Sequence, residues 1–107
     1  MKQQLKKGVL EIYVLAILLK EDSYGYKIVT DLNPYIEISE STLYPILRRL
    51  ENQDKLNTYN EVYEGRNRKY YKVTDKGKKQ VKDFIVEWEN VKKIYDLLLE
   101  VEIWKSI

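Results

Sequence analysis

The fold is decided by two neighbouring pieces of sequence, SESTLYPILRRLENQ at 39–53 and LNTYNEVYEGRNRKYYKVTDKG at 56–77. The first piece predicts a helix that is capped at its start by Ser39 or Ser41. The second predicts strands at about 56–63 and 68–73, because apolar and polar residues alternate there. A turn carrying Gly65, Arg66, Asn67, Arg68 and Lys69 joins them. A helix followed by a basic hairpin is the layout of a winged helix-turn-helix, in which the helix enters the DNA major groove.

Within the helix, the leucines and the isoleucine point inward at spacings of three and four: Leu43, Ile46, Leu47 and Leu50. This leaves other faces to Ser41, Thr42, Tyr44, Arg48 and Arg49. Small hydroxyls reach base edges or phosphates without bulk, and arginine pairs with guanine or phosphate. Capping and solvation explain the same residues, and Tyr44 suits the core as well as DNA. If the helix begins at Ser41, Pro45 falls in its opening turn, where the missing N–H costs little.

The hairpin is the second expected contact with DNA. Between Gly65 and Lys82 the chain has eight basic residues and one acid, Asp75, a net charge of +7 in a protein whose total is +2. We expect this charge to gather on one side as a phosphate-binding stripe, although a solvated edge strand would look the same. The alternation also predicts that one of Tyr70 and Tyr71 packs inward.

The rest of the chain reads as helices. The patterns predict them at about 2–20, at 24–32 with Ser23 as a cap, and from Thr74 to about Trp104. The last helix carries a heptad-like seam: Val81, Phe84, Trp88, Val91, Tyr95 and Leu98. Ile94, Leu97, Val101 and Trp104 form a second apolar stripe. One stripe can pack on the first helix and the other on a partner, which favours a homodimer with Phe84, Trp88, Val91, Tyr95 and Leu98 at its interface.

Composition excludes several classes of function. There is no cysteine and no histidine, so thiolate nucleophiles, sulfur ligands and the commonest general base are absent from the sequence. We therefore expect no catalytic residues, no metal site and no cofactor. No membrane-spanning run or signal peptide is evident, which predicts a cytoplasmic protein without a membrane partner.

Three motifs give a family resemblance. Thr42-Leu43-Tyr44-Pro45-Ile46-Leu47, followed by Arg49-Leu50-Glu51, resembles the recognition helix of the PadR family of transcriptional regulators. Gly65-Arg66-Asn67-Arg68-Lys69-Tyr70-Tyr71, with Thr74 and Gly77, resembles its wing, and Tyr24-Gly25-Tyr26 its second helix. The family commonly has proline where Asn67 stands, and Asn tolerates the left-handed conformation that a tight turn uses.

The resemblance extends to a short, multidrug-responsive branch with one C-terminal helix, on the pattern Trp88-Glu89-Asn90-Val91-Lys92-Lys93-Ile94. In that branch a tryptophan at the matching place stacks planar aromatic ligands at the dimer interface. It therefore implies a planar aromatic effector held by Trp88, Ile12 and Val91, whereas simple core packing of Trp88 is the alternative.

Together these observations predict a mainly α protein with a small β-hairpin. We expect a winged helix-turn-helix domain at 1–74 and a C-terminal dimerisation helix at 75–107 that packs on helix 1. The expected function is a homodimeric repressor on a pseudo-palindromic operator. The expected DNA-binding residues are Tyr24, Lys27, Ser39, Ser41, Thr42, Tyr44, Arg48, Arg49, Arg66, Arg68 and Lys69. A DNA-partition protein that binds tandem arrays, a protein-binding winged helix and an enzyme using only carboxylates are the alternatives.

Overall fold

The computed structural model describes residues 3–101 and 103–106, and side chains from Gly8 to Val101 and at 105–106. Met1, Lys2, Glu102, Ile107 and the side chain of Trp104 lie outside the described part. The elements are α1 (Gln3–Lys20), α2 (Gly25–Leu32), α3 (Glu40–Asn52), β1 (Leu56–Tyr63), β2 (Arg66–Val73), α4 (Asp75–Val101) and a 3₁₀ turn (Ile103–Ser106). The predicted fold class, mainly helical with a two-stranded antiparallel hairpin and a long last helix, is confirmed.

The core lies where α1, α2 and α3 meet the base of the hairpin. The inward stripe predicted for α3 is confirmed, since Leu43, Ile46, Leu47 and Leu50 are all buried. The distal half of α1 meets this stripe with an almost continuous apolar surface: Val14, Leu15, Ile17 and Leu18 are buried. Burying such side chains contributes about 1.5–3 kcal/mol each. This core fixes where the exposed faces of α3 and of the hairpin point.

Local signals define both ends of α3. Ser39 caps the start, because its Oγ accepts a hydrogen bond from the Thr42 N–H at 3.2 Å. At the other end Asp54 has a φ of 61° and the Lys55 N–H donates to the Leu50 carbonyl at 2.9 Å. This is the Schellman pattern, in which a left-handed residue stops the helix. Pro45 is the sixth helical residue and not part of the opening turn, so the helix loses one internal hydrogen bond there.

The hairpin has a shorter turn than the sequence predicted. Glu64 and Gly65 alone form it, with φ values of 50° and 76°, and β2 begins at Arg66, two residues earlier than expected. Positive φ at both central residues is the type I′ geometry that matches the strand twist. Asn67 therefore lies in a strand opposite Val62 and needs no left-handed conformation.

The predicted capping role of Ser23 is wrong. Tyr24 occupies the N-cap position of α2 and makes no side-chain cap. Ser23 is buried and its backbone bridges to Tyr71, with the Tyr71 N–H donating to the Ser23 carbonyl at 2.8 Å. The bridge places the start of α2 beside the inner edge of β2.

Helix α4 begins one residue after Thr74, whose Oγ1 accepts from the Gly77 N–H at 3.2 Å. It ends at Val101, three residues before the predicted end, and extends the molecule to 60 Å in its longest dimension. Gly77 is packed closely on the Lys55 carbonyl, where a Cβ would collide with backbone. Across the described residues no helix combines the length and apolar character that would be needed to cross a membrane.

Candidate nucleic-acid interface

The first turns of α3 present small hydroxyl groups to solvent. Ser39 Oγ lies 2.9 Å from Ser41 Oγ and 3.1 Å from Thr42 Oγ1, and all three side chains are exposed. Each hydroxyl both donates and accepts, so the cluster can exchange its internal bonds for bonds to phosphate oxygens or base edges. This end of α3 is chemically suited to contact a nucleic acid.

The two arginines of α3 differ sharply. Arg48 is exposed on the outer face. Arg49, which we expected beside it, points towards α1, where its Nε donates to Glu11 Oε1 at 2.6 Å and only about a quarter of its side chain is exposed. The partly buried Glu11 carboxylate already pairs with the charge of Arg49. We therefore remove Arg49 from the candidate surface and retain Arg48.

Tyr44 joins α3 to α2. Its phenol ring lies directly over Gly25, so closely that a Cβ at this position would overlap the ring. The residue as a whole is still 42% exposed. Tyr44 thus packs on the start of α2 and faces solvent at once.

Arg68 ties the hairpin to the start of α2. Its guanidinium carbon lies 4.0 Å from the ring centroid of Tyr24 and 4.2 Å from that of Tyr63, so two aromatic rings contact it. A hydrogen bond with the Tyr70 side chain raises the pKa of Arg68 above its usual value. Such stacking orders the guanidinium while leaving edge N–H groups available as donors.

A ladder of tyrosines continues from this stack. Tyr70 packs edge-on against Tyr24 and stacks on Tyr59, with ring centroids 5.5 Å apart in both pairs. Tyr59 Oη donates to Asp22 at 2.8 Å, and this hydrogen bond is the main reason that the pKa of Tyr59 rises to about 12. Tyr71, by contrast, is buried, which confirms that one tyrosine of the pair packs inward.

The two candidate lysines carry compensated charges. Lys27 bonds to Glu21 and to Asp31, and these hydrogen bonds raise the pKa of Lys27 above its usual range. Lys69 lies 3.4 Å from Glu51. Both lysines are at least partly exposed. They remain candidates for DNA contact, but each must exchange its carboxylate partner for a phosphate.

Basic residues of the 65–82 segment line three recesses, with Lys69 in one that it shares with Tyr44 and Arg48 of α3, and the single phosphate-binding stripe stays a prediction. Arg66 and Arg68 line a recess with Tyr24, Tyr26 and Tyr63. Lys76 and Lys79 line a different one, a groove of about 470 Å³ between α1 and α4, which we call the α1–α4 groove. It has a mixed apolar and charged lining: Val9, Ile12, Phe84 and Trp88 with Lys55, Asp83 and Glu87.

Two of the three residues expected to hold an effector line this groove. Ile12 and Trp88 belong to its wall, and Phe84 packs on Trp88 with ring centroids 5.6 Å apart. Val91 lies one turn further along α4, exposed and outside the groove. Most of the expected dimer residues are likewise exposed in the single chain, namely Trp88, Val91, Tyr95 and Leu98, whereas Phe84 is partly buried.

Residues 14–83 match the family model described as the transcriptional regulator PadR-like family. The chain belongs to this family.

Solved structures agree with the assignment. A Streptococcus mutans protein is 42% identical with a TM-score of 0.77, the match covering 88% of this PadR-like chain and 89% of that one. A PadR-like transcriptional regulator of Bacillus cereus is 36% identical with a TM-score of 0.78, covering 91% and 97%. Bacillus subtilis PadR, solved in complex with operator DNA, shares the fold at 24% identity and a TM-score of 0.68, covering 73% and 47%.

The sequence patterns did not indicate every residue of the candidate nucleic-acid interface. Tyr59 and Tyr63 were not singled out, although they lie on the same face of the hairpin as Arg66, Arg68 and Tyr70. Placing the turn at Glu64-Gly65 would have given the register and hence the ladder, since cross-strand partners follow from turn length. The pairing of Glu11 with Arg49 has no local signal, because 38 residues separate them.

Proposed function

We propose that this PadR-like regulator binds double-stranded operator DNA through one continuous surface made by α3, the start of α2 and the hairpin. The observation that carries the proposal is the connection of these parts. Tyr44 of α3 packs on Gly25, and the adjacent Tyr24 packs on Arg68 of the hairpin. The hydroxyl cluster of α3 and the two hairpin arginines are therefore held in a fixed relation, as a helix in the major groove and a wing on the adjacent backbone require.

The proposed DNA contacts are assigned to side chains that are at least partly exposed to solvent. Ser39, Ser41, Thr42, Tyr44 and Arg48 face the major groove. Arg66, Arg68 and Tyr24 meet phosphates or the minor groove, with Lys27 and Lys69 at the margin. Family membership supports DNA binding by the chain. A neighbour with the same fold, Bacillus subtilis PadR, was solved in complex with operator DNA.

We further propose that the chain acts as a homodimeric repressor on a pseudo-palindromic site. In this proposal the chain is divided into a DNA-binding domain at 1–74 and a dimerisation helix at 75–107. The distal part of α4 carries apolar residues that its own chain leaves exposed, Leu97 by 57% and Leu98 by 47% among them. A second copy related by a two-fold axis would cover them and present two α3 helices to half-sites about one helical turn apart.

Fluorescence anisotropy with DNA from upstream of the chain's own gene tests the function. We expect affinity for this fragment to exceed that for a random duplex of equal length by about 10³-fold or more. Footprinting should then show one pseudo-palindrome. A tandem array of protected sites would favour a partition protein, and no binding to either duplex at low salt would favour a protein-binding winged helix.

The α1–α4 groove is the proposed effector site. Trp88 and Phe84 offer ring faces beside Ile12, and stacked aromatic pairs add about 0.5–1.5 kcal/mol each beyond burial. A planar aromatic compound should quench the fluorescence of Trp88 saturably. Trp88→Phe should lose this quench while the emission of Trp104 remains, and a panel of planar compounds without saturable quenching would refute the site. Release of DNA further requires that the compound bind the two states of the dimer unequally.

A further inference from the structure

A single carboxylate joins three helices behind the DNA-facing surface. Glu11 lies in α1 with only 13% of its side chain exposed. Its Oε1 accepts from Arg49 Nε of α3 at 2.6 Å, and its Oε2 accepts from Gln80 Nε2 of α4 at 3.2 Å. Both oxygens are therefore in use, one for the helix that meets DNA and one for the helix proposed for dimerisation.

Among the described residues, Glu11 is the one carboxylate within salt-bridge distance of Arg49. Arg49 Nη2 and Gln80 Oε1 are buried and lack a hydrogen-bond partner. When one partner of a partly buried, charge-assisted set is removed, the remaining groups lose their bonds and stay away from water. The position of the Arg49 side chain thus depends on Glu11.

Gln80 also lines the α1–α4 groove, on the same wall as Phe84 and Trp88. Any displacement of this turn of α4, by a ligand in the groove or by a rearranged partner helix, acts directly on the Gln80–Glu11 bond. We propose that Glu11 is a positioning residue that couples α4 and its groove to the orientation of α3. This inference rests on the proposed function only in assuming that α3 meets DNA.

Amide hydrogen exchange in the free protein tests the coupling without DNA or effector. Gln80→Met keeps the length of the side chain and removes the hydrogen bond to Glu11. We expect exchange of the amides at 46–50 in α3 to accelerate about tenfold, as loss of a bond to a charged group predicts, with the hairpin amides unchanged. Lys82→Met, an exposed position two residues further along α4, is the matched control and should change nothing. Unchanged α3 exchange in both Gln80→Met and Glu11→Gln would overturn the proposal.

A double-mutant cycle separates coupling from a merely structural role. On the upstream DNA fragment, Gln80→Met should weaken binding about threefold to tenfold with an unaltered salt dependence, because the basic residues that neutralise phosphates are all retained. In a Glu11→Met background, which removes both acceptor oxygens, the same change should have no further effect. Full additivity of the two changes would refute the coupling. Absence of DNA binding by the unmodified protein would refute the proposed function instead, and the exchange result would still decide the role of Glu11.

Discussion

Two regions of the molecule bury their apolar side chains in different ways: the body, residues 8–83, and the distal part of α4, residues 84–101. In the body Leu15, Leu43 and Leu47 are fully buried within one chain. In the distal part the large apolar side chains from Ile85 to Val101 are 39–61% exposed. Heptad spacing of exposed apolar residues is the pattern of a helix that packs on another helix, and the homodimer proposed above would bury this surface. The body, in contrast, buries its core within one chain.

The largest effect is expected from Leu98→Glu, which tests whether a partner covers the distal part of α4. A charge in an apolar seam loses its solvation without gaining a partner, so the dimer dissociation constant should rise by about 10² or more. Sedimentation velocity at micromolar concentration should show monomers, while near-ultraviolet circular dichroism should show that the body stays folded.

Lys92→Glu places the same charge on α4 at a position that is already polar, and it should leave the dimer intact. A stable monomer of the unmodified protein at micromolar concentration would contradict the seam assignment, and with it the contrast between the two regions.

The next largest effect is expected for the hairpin arginines, which belong to the body, and it concerns DNA affinity. Replacing both Arg66 and Arg68 with alanine should weaken specific and non-specific DNA binding alike and flatten the log–log salt slope by about 0.9 for each phosphate that is no longer neutralised. Anisotropy titrations over a range of salt concentrations measure this slope. Arg68→Ala should also lower thermal stability because it removes the guanidinium contacts with Tyr24 and Tyr63, whereas Arg66→Ala should not. An unchanged slope in the double variant would remove the hairpin from the DNA-binding surface.

Periodicity predicted the elements of this fold well because each pattern is local. The stripe from Leu43 to Leu50 and the alternation through Tyr71 and Val73 are set by neighbours three, four or two residues apart. The direction of Arg49 was not predictable in the same way. Its partner Glu11 is 38 residues distant, and adjacent arginines look equivalent until the helices are packed. The net charge of the basic segment likewise did not predict which recess each of its side chains lines.

Arg48 and Arg49 of α3 give a matched test of whether helix packing decides the role of each arginine. Arg48→Ala should lower affinity for the operator fragment by about 1–3 kcal/mol and leave the melting temperature unchanged. Arg49→Ala should lower the free energy of unfolding by about 1–3 kcal/mol, since it leaves the Glu11 carboxylate partly buried without its charged partner. Differential scanning fluorimetry together with anisotropy separates the two. Equal stability losses in both variants would show that Arg48 also packs within the chain.

The smallest expected effect concerns the tyrosine ladder, where the hydrogen bond to Asp22 raises the pKa of Tyr59 to about 12. A tyrosine whose pKa is higher in the folded than in the unfolded state stabilises the fold fully below the unfolded value, about 10, and loses that contribution as pH rises towards 12. Tyr59→Phe removes the phenol and keeps the ring that stacks on Tyr70. The difference in melting temperature between the two proteins should therefore be constant up to about pH 9 and shrink between pH 10 and 12. Taking the difference cancels the titration of the remaining tyrosines and lysines. A difference that stays constant across this range would mean that the Tyr59–Asp22 bond does not hold the hairpin to the start of α2 in solution.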